Sequence, residues 1–197
     1  CTGAFGSTLV FGPGDVALPF DLTVINLDAD TDIDVIGDFG VNAFSLMDLS
    51  LVNDGSINVY NEFGNAIGIY ALSQYGDTEV INNGSISATS YSGSVAGIVA
   101  LSAYGDPSAS NDFFINTYTV YGDAYGMYVS SPFGDVNAST GLDSSTTAQS
   151  VFGDATGIRA ESLAGDVSVD SAGAITALST YGDATGISAY SIYGAVD

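Results

Sequence analysis

The amino-acid sequence predicts an all-β fold, a right-handed parallel β-helix (β-solenoid) with three short strands per coil and about six coils of ~29 residues. Three observations predict it: columns of glycine that recur at a near-constant spacing, strand-like segments between them, and turn residues at the segment boundaries. No stretch shows convincing helical periodicity, which argues against a helical repeat.

Three columns of glycine define the repeat. The first lies in Gly-(Ile/Met) pairs spaced by 29, 29, 31 and 29 residues: Gly68-Ile69, Gly97-Ile98, Gly126-Met127, Gly157-Ile158 and Gly186-Ile187. A second glycine follows each pair: Gly76, Gly105, Gly134, Gly165 and Gly194. A third stands earlier in each unit: Gly64, Gly93, Gly122, Gly153 and Gly182. Three columns in one register indicate a tandem repeat whose units stack.

Each unit contains three short segments in which apolar and polar residues alternate with period two. Examples are 97–102 (GIVALS), 166–170 (DVSVD) and 175–179 (ITALS). Stacking aligns equivalent residues, so we expect inward columns. In the first strand these are Ile69, Ile98, Met127, Ile158 and Ile187, with Ala71, Ala100, Val129, Ala160 and Ala189. In the third strand they are Ile33, Ile57, Ile86, Ile115, Thr146 and Ile175, with Val35, Val59, Ala88, Thr117, Ala148 and Ala177.

The repeat register extends from residue 24 to residue 197 and predicts a single solenoid domain over that range. Residues 1–23 fit the register poorly and are expected to form an irregular first coil or cap. The unit between Ser45 and Gly68 spans only 23 residues, with Ser45 in place of the first-strand glycine. The shortening predicts that this unit lacks its second strand.

The charge balance limits the classes of partner. The chain has 23 acidic residues, no Lys or His, and a single basic residue, Arg159, for a net charge of −22. Nucleic acids and anionic membrane surfaces bind cationic protein surfaces, so neither is an expected partner. No apolar run approaches the ~18 residues of a membrane span. The expected partners are cations, neutral surface glycans, other proteins and neighbouring copies of this chain.

Aspartate recurs at two turns of the repeat, where stacking would bring like charges to about 5 Å. One set follows the first strand (Asp54, Asp77, Asp106, Asp135 and Asp166) and the other follows the third (Asp123, Asp154 and Asp183). Two outcomes relieve the repulsion: the carboxylates accept turn N–H groups and face water, or Ca²⁺ bridges adjacent coils. Asp28, Asp30, Asp32 and Asp34 form a second candidate cation site, since alternation in an extended chain would place them on one side.

Aromatic residues precede the turn glycines in two lines. Phe39, Phe63, Tyr121, Phe152 and Tyr181 form one line, interrupted by Ser92, and Tyr75, Tyr104, Phe133 and Tyr193 form another, interrupted by Ala164. They predict either structural corner ladders or a platform for stacking sugars. A further set, the outward apolar group, comprises Tyr70, Leu72, Val99, Leu101 and Tyr128. Stacked on one sheet face, this group predicts either a contact with a partner or neighbouring rod, or tolerated surface residues.

The composition disfavours catalysis. Without His, Ser–His and Cys–His mechanisms are excluded, and zinc loses its usual ligands. A paired-carboxylate glycosidase is conceivable, but the acidic residues recur with the repeat, as scaffold residues do. Cys1 is the only cysteine, so no internal disulfide forms. Its position predicts either a lipid-anchored mature N-terminus or simply the first residue of a segment.

Runs such as 182–189 (GDATGISA) and 80–88 (VINNGSISA) resemble the repeats of bacterial autotransporter passengers and filamentous-haemagglutinin-like adhesins. The resemblance covers residues 24–197 and is specific for the fold, not for one protein. It implies a right-handed β-helix displayed outside the cell, often in adhesion or matrix. The chain departs from the pattern in lacking a translocator barrel and in having almost no basic residues.

These observations predict a non-catalytic extracellular or cell-surface β-solenoid that acts as a stalk or adhesin segment. The alternative is a self-assembling extracellular filament subunit joined end to end, because residues 193–197 (YGAVD) stop where a second strand begins. Either the chain is a fragment, or a neighbouring subunit completes the coil by strand addition. A polysaccharide-active β-helix enzyme is a third, less favoured class.

Overall fold

The computed structural model describes residues 3–5, 9–11 and 23–197, which form strands and turns without a helix. The strands are β1 (Gly3–Phe5), β2 (Leu9–Phe11), β3 (Thr23–Leu27), β4 (Thr31–Ile36), β5 (Phe39–Ser45), β6 (Leu49–Asn53), β7 (Ser56–Asn61), β8 (Ala66–Ser73), β9 (Thr78–Asn82), β10 (Ser85–Ser90), β11 (Val95–Ser102), β12 (Pro107–Asn111), β13 (Phe114–Thr119), β14 (Ala124–Ser131), β15 (Val136–Thr140), β16 (Ser145–Ser150), β17 (Ala155–Ser162), β18 (Val167–Ser171), β19 (Ala174–Ser179) and β20 (Ala184–Ser191).

Every third strand belongs to the same parallel sheet. Sheet A contains β1, β4, β7, β10, β13, β16 and β19; sheet B contains β2, β5, β8, β11, β14, β17 and β20; sheet C contains β3, β6, β9, β12, β15 and β18. The first strand of the repeat lies in sheet B, the second in sheet C and the third in sheet A. Successive coils therefore stack by strand-on-strand pairing, and the predicted β-solenoid of about six coils is confirmed.

The register places equivalent residues of neighbouring coils side by side. Ile98 pairs with Ile69 on one side and Met127 on the other, and all three are fully buried. In sheet A, Ile86 pairs in the same way with Ile57 and Ile115. The inward columns are confirmed up to β18 and form one continuous core along the solenoid, whereas in the last coil Ile187 is 43% exposed. Small and β-branched side chains fill it because three sheets enclose a narrow interior.

The prediction of a missing second strand is wrong. Strand β6 is present and pairs with both β3 and β9 in sheet C. The glycine of this unit is Gly40, since its neighbour Val41 pairs with Ile69, and Ser45 pairs with Ser73 instead.

Counted from Gly40, the unit that ends at Gly68 spans 28 residues, so its apparent shortening comes from the misplaced glycine. The coil that is truly short runs from residue 37 to Tyr60, which pairs with Ile36, because residues 37–38 connect β4 to β5 whereas residues 62–65 connect β7 to β8. We call residues 37–60 the short coil.

From β8 onward, the strands of sheet B begin two residues before the glycine of the Gly-(Ile/Met) pair, which the sequence predicts as their first residue. In β8, Ala66 and Gly68 are buried on either side of the partly exposed Ile67, and the next residue, Ile69, is buried too, so the inward parity changes at the glycine. A Cβ atom on Gly97 would collide with Cγ2 of Ile115 and lie 2.7 Å from the carbonyl oxygen of Gly126. The glycine column is therefore required by close approach between coils.

Candidate functional site

The aspartates after the first strand form a ladder of hydrogen bonds between coils. The Oδ1 atom of Asp77 accepts the N–H of Asp106 at 2.8 Å, and Asp106 Oδ1 accepts the N–H of Asp135 at 2.8 Å. The ladder continues through Asp135 to the N–H of Asp166, and from Asp166 to that of Ala195. Each carboxylate thus holds the turn of the following coil by a charge-assisted bond.

A second ladder occupies the turn after the third strand. Asp123 Oδ1 accepts the N–H of Asp154 at 2.9 Å, and Asp154 Oδ1 accepts the N–H of Asp183 at 2.9 Å. In the coils closer to the N-terminus, the acceptors of the same turn are not aspartates: Asn65 Oδ1 accepts the N–H of Ser94, and Ser94 Oγ accepts the N–H of Asp123. We call the two series the aspartate ladders. The predicted turn N–H bonding is present, but the bonded N–H belongs to the next coil.

One residue was misassigned in this column. Asp54 lies in the turn between β6 and β7, where its Oδ1 accepts the side-chain amide of Asn83 at 2.8 Å. Asp48 occupies the ladder position instead and accepts the N–H of Asp77 at 3.0 Å. The error follows from the misplaced glycine of the short coil, which shifted the alignment of its turn.

The aspartates at positions 28–34 do not form one row. Asp28 lies in the turn after β3 and accepts the hydroxyl of Thr31 at 2.9 Å, whereas Asp32 and Asp34 point outward from β4. Asp34 accepts the amide of Asn58 at 3.0 Å. Across the described residues, no three His, Cys, Asp or Glu side chains converge to hold a metal ion. Calcium binding at the aspartate ladders stays a prediction.

Serine and threonine hydroxyl groups lie at the same two turns of the repeat as the aspartate ladders. Ser102 Oγ donates to the carbonyl oxygen of Gly76 in the preceding coil at 2.8 Å and accepts the N–H of Gly105 at 2.7 Å. Ser131 repeats the pattern between Gly105 and Gly134. A parallel series at the other corner passes through Ser90, Thr119, Ser150 and Ser179. At each of these two corners, one hydroxyl per coil therefore closes the turn and bonds it to the preceding coil.

A buried asparagine ladder was missed by sequence reasoning. The side-chain amide of Asn53 donates to Asn82 Oδ1 at 2.7 Å, and that of Asn82 donates to Asn111 Oδ1 at 2.8 Å. All three side chains are fully buried at the end of sheet C strands. Their spacing of 29 residues was the available signal, because a polar residue that recurs in the core needs a partner that recurs with it.

The aromatic lines form two ladders of three rings. Tyr75, Tyr104 and Phe133 stack with ring centroids 5.7 and 5.4 Å apart. Tyr121, Phe152 and Tyr181 stack at 5.1 and 5.0 Å.

The rest of the predicted lines diverges. Phe39 meets Tyr70 edge to face at 5.6 Å, and Phe63 is mostly exposed, so neither belongs to the stacked rings. The stacking supports structural corner ladders, but every stacked ring remains about half exposed or more, so the sugar platform stays a prediction.

The outward apolar group lies on the outer face of sheet B. Val99 pairs with Tyr70 and Tyr128 on the adjacent strands, and Leu101 pairs with Leu72. Val99 is buried between its two aromatic neighbours, while the other four side chains are partly exposed. Burial raises the pKa of the Tyr70 hydroxyl above its ordinary value. The group forms a contiguous apolar surface, as its spacing predicts.

Arg159 continues this face on β17, where it pairs with Tyr128. Its guanidinium forms an ion pair with Glu161 at 2.6 Å and lies 5.8 and 5.6 Å from the ring centroids of Tyr125 and Tyr128. Burial raises the pKa of both tyrosines. The chain's one basic side chain is thus held by a carboxylate and two aromatic faces.

Cys1 lies outside the described residues. In the part of the chain that the structure describes, no helix is long and apolar enough to cross a membrane. Comparison of the chain with models of protein families, with curated proteins and with solved structures gave no match.

Proposed function

We propose that the chain is a non-catalytic structural β-solenoid of the cell surface or extracellular space, acting as a stalk or adhesin segment. The observation that supports this role is the use of the repeated polar residues. The recurring aspartates, serines and asparagines bond to the neighbouring coil, so the side chains that could have formed a catalytic cluster hold the stack together.

The surface charge supports an extracellular setting. A net charge of −22 keeps stacked rods apart and in solution through mutual repulsion. The same negative charge repels nucleic acids and anionic lipid surfaces, so the expected partners are neutral glycans, proteins and cations.

Surface display is tested by adding protease to intact cells of the source organism and probing with an antibody to the purified chain. We expect the epitope to disappear from intact cells while a cytoplasmic marker protein survives. Retention of the epitope until the cells are lysed would contradict the proposal. Rods of the purified chain in electron micrographs would support the stalk role, and compact particles would argue against it.

A second candidate is self-assembly. End-to-end joining stays a prediction, and the outer face of sheet B supports association of solenoids side by side. From β5 to β20, the strands of this sheet contain one acidic and one basic residue, Glu161 and Arg159, which cancel. An apolar face without net charge is where two otherwise repelling rods can approach.

Sedimentation velocity tests self-assembly. Self-association that strengthens with salt and is lost in Leu101→Ser would support it. A monomer at every concentration would contradict it.

A further inference from the structure

A groove on the outer face of sheet A crosses β4, β7 and β10 and has a volume of about 590 Å³. Two outward columns line it. Asp34, Asn58 and Ser87 form one, and Ile36, Tyr60 and Thr89 form the other. We propose that this groove binds a neutral oligosaccharide.

The strand register builds the groove. Asp34 pairs with Asn58, and Ile36 pairs with Tyr60, so each column advances by one strand per coil. Residues two apart on a strand point to the same face about 7 Å apart, which leaves a trough between the columns. The trough runs along the stacking direction, so an extended ligand can lie across several coils.

One side of the groove offers preorganised polar groups. The Asn58 amide donates to Asp34 Oδ1 at 3.0 Å and to the Ser56 hydroxyl at 3.3 Å. These bonds restrict the rotamers of the polar column before a ligand arrives, which lowers the entropy lost on binding. The hydroxyl of Ser87 extends this polar column to the next strand, and the hydroxyl of Thr89 adds a polar group at the end of the opposite column. Such a set matches the alternating donors and acceptors of sugar hydroxyls.

The other side offers apolar surface. Ile36 is 87% exposed and Tyr60 is 46% exposed, although both lie on the strands of an ordered sheet. A tyrosine ring supplies a rigid apolar face and a polar tip at little entropic cost. A pyranose ring has the complementary form, with C–H groups on its face and hydroxyls at its rim.

Charge and spacing select the class of ligand. Asp34 is the one charged side chain in the lining, so the groove repels an anionic glycan. A Ca²⁺ ion would require six or more oxygen ligands. A cationic peptide would be attracted to the acidic turns all along the solenoid, with no preference for the groove. The coil spacing of about 4.8 Å is close to the length of one sugar in an extended glycan, so successive sugars can face successive strands.

The inference rests on the proposed surface location, since a surface-exposed groove meets neutral glycans. Different results would contradict the proposed surface location and the proposed groove. A chain that protease does not reach on intact cells removes the proposed function, whatever it binds. A displayed rod that binds no neutral hexamer removes the groove and leaves the stalk.

The test is calorimetric titration of the whole chain with neutral hexamers of β-1,4-glucose, β-1,3-glucose, α-1,4-glucose, mannose and N-acetylglucosamine. We expect at least one to bind, and Tyr60→Ala to weaken it roughly tenfold, as expected for loss of one aromatic contact. Tyr118→Ala is the matched control. Tyr118 lies in the same outward column, aligned with Thr89 from the far side, and has similar exposure, but it is outside the groove.

Two further probes separate the alternatives. Hexagalacturonate should bind more weakly than the neutral hexamers, and Asp34→Asn should reduce that difference. Hexalysine should not displace the bound hexamer. The proposal is overturned if no hexamer binds, if Tyr118→Ala weakens binding as much as Tyr60→Ala, or if either charged probe competes as well as the neutral ligand. Circular dichroism of each variant confirms that the fold is intact.

Discussion

The turn between the third and first strands of the repeat is held by different hydrogen bonds in the regular coils and beside the short coil. In the regular coils, Ser90 and Thr119 link each turn to the preceding glycine carbonyl. Asn61, which pairs with Ser90, takes that position next to the short coil and reaches the carboxylate of Asp38 at 2.6 Å instead. The turn at 37–38 has two residues instead of four. Here a longer amide side chain bonds to the Asp38 carboxylate, in place of a hydroxyl that bonds to a glycine carbonyl.

The aromatic residues differ between the same two regions. Tyr121, Phe152 and Tyr181 are exposed but stack on one another along the regular coils, whereas the exposed Phe63, beside the short coil, lies outside the stack. The proposed groove also begins on β4, the strand that enters the short turn. Regular repetition therefore brings aromatic rings of successive coils into contact, and the altered turn interrupts that contact.

The largest expected effect comes from breaking the regular stack at its glycine column. Gly97→Ala places a methyl group against Ile115 and the Gly126 carbonyl oxygen, so it should lower the free energy of unfolding by about 1–3 kcal/mol or more. Gly186→Ala, in the same column but with nothing within 4 Å of the added carbon, should change it by less than about 0.5 kcal/mol. Urea denaturation measures both variants, and equal losses would contradict the close-approach explanation.

A second variant uncouples the short coil from the regular ones. Asn82→Ala removes the link between Asn53, in the short coil, and Asn111, so each of these two buried amides loses one hydrogen bond. We expect a loss of about 1–3 kcal/mol in the free energy of unfolding. Asn83→Ala, at an exposed bond to Asp54, is the control and should cost under about 1 kcal/mol. Similar losses at the two positions would show that the buried ladder adds nothing.

A smaller effect separates hydrogen bonding from charge in the aspartate ladders. Asp135→Ala removes the acceptor for the N–H of Asp166 and should cost about 1 kcal/mol. Asp135→Asn keeps an acceptor oxygen and removes one of several like charges, so it should be neutral or stabilising. Melting temperatures of the two variants show whether the hydrogen bond or the charge of Asp135 determines the effect. A loss in Asp135→Asn as large as in Asp135→Ala would assign the effect to the charge.

The smallest expected effect tests calcium. If Ca²⁺ bridges ladder carboxylates of adjacent coils, it should raise the melting temperature by a few degrees more than NaCl at equal ionic strength, and chelator should reverse the gain. The Asp106→Asn/Asp135→Asn double variant should lose most of this difference. Equal melting temperatures in the two salts would contradict the bridging prediction and leave hydrogen bonding as the role of the ladders.

Sequence reasoning succeeded where the repeat is regular. Columns such as Ile69, Ile98 and Met127 were predicted as inward because alternation and spacing both depend on local sequence. It failed at Ser45 and Asp54, since an altered turn length shifts an alignment without leaving a local signal. The asparagine ladder was open to prediction from its spacing. The contacts of Arg159 were not, because they join residues of two strands whose side-chain directions depend on packing.

By itself, the sequence determined that equivalent segments stack coil on coil, because a side-chain period of two and a repeat near 29 residues allow one register that buries the apolar columns. The tertiary structure alone decided where the short coil loses its residues, which N–H each aspartate holds, and how two outward columns enclose a groove. These features depend on backbone positions one coil apart, and those positions are defined only when the whole stack has formed.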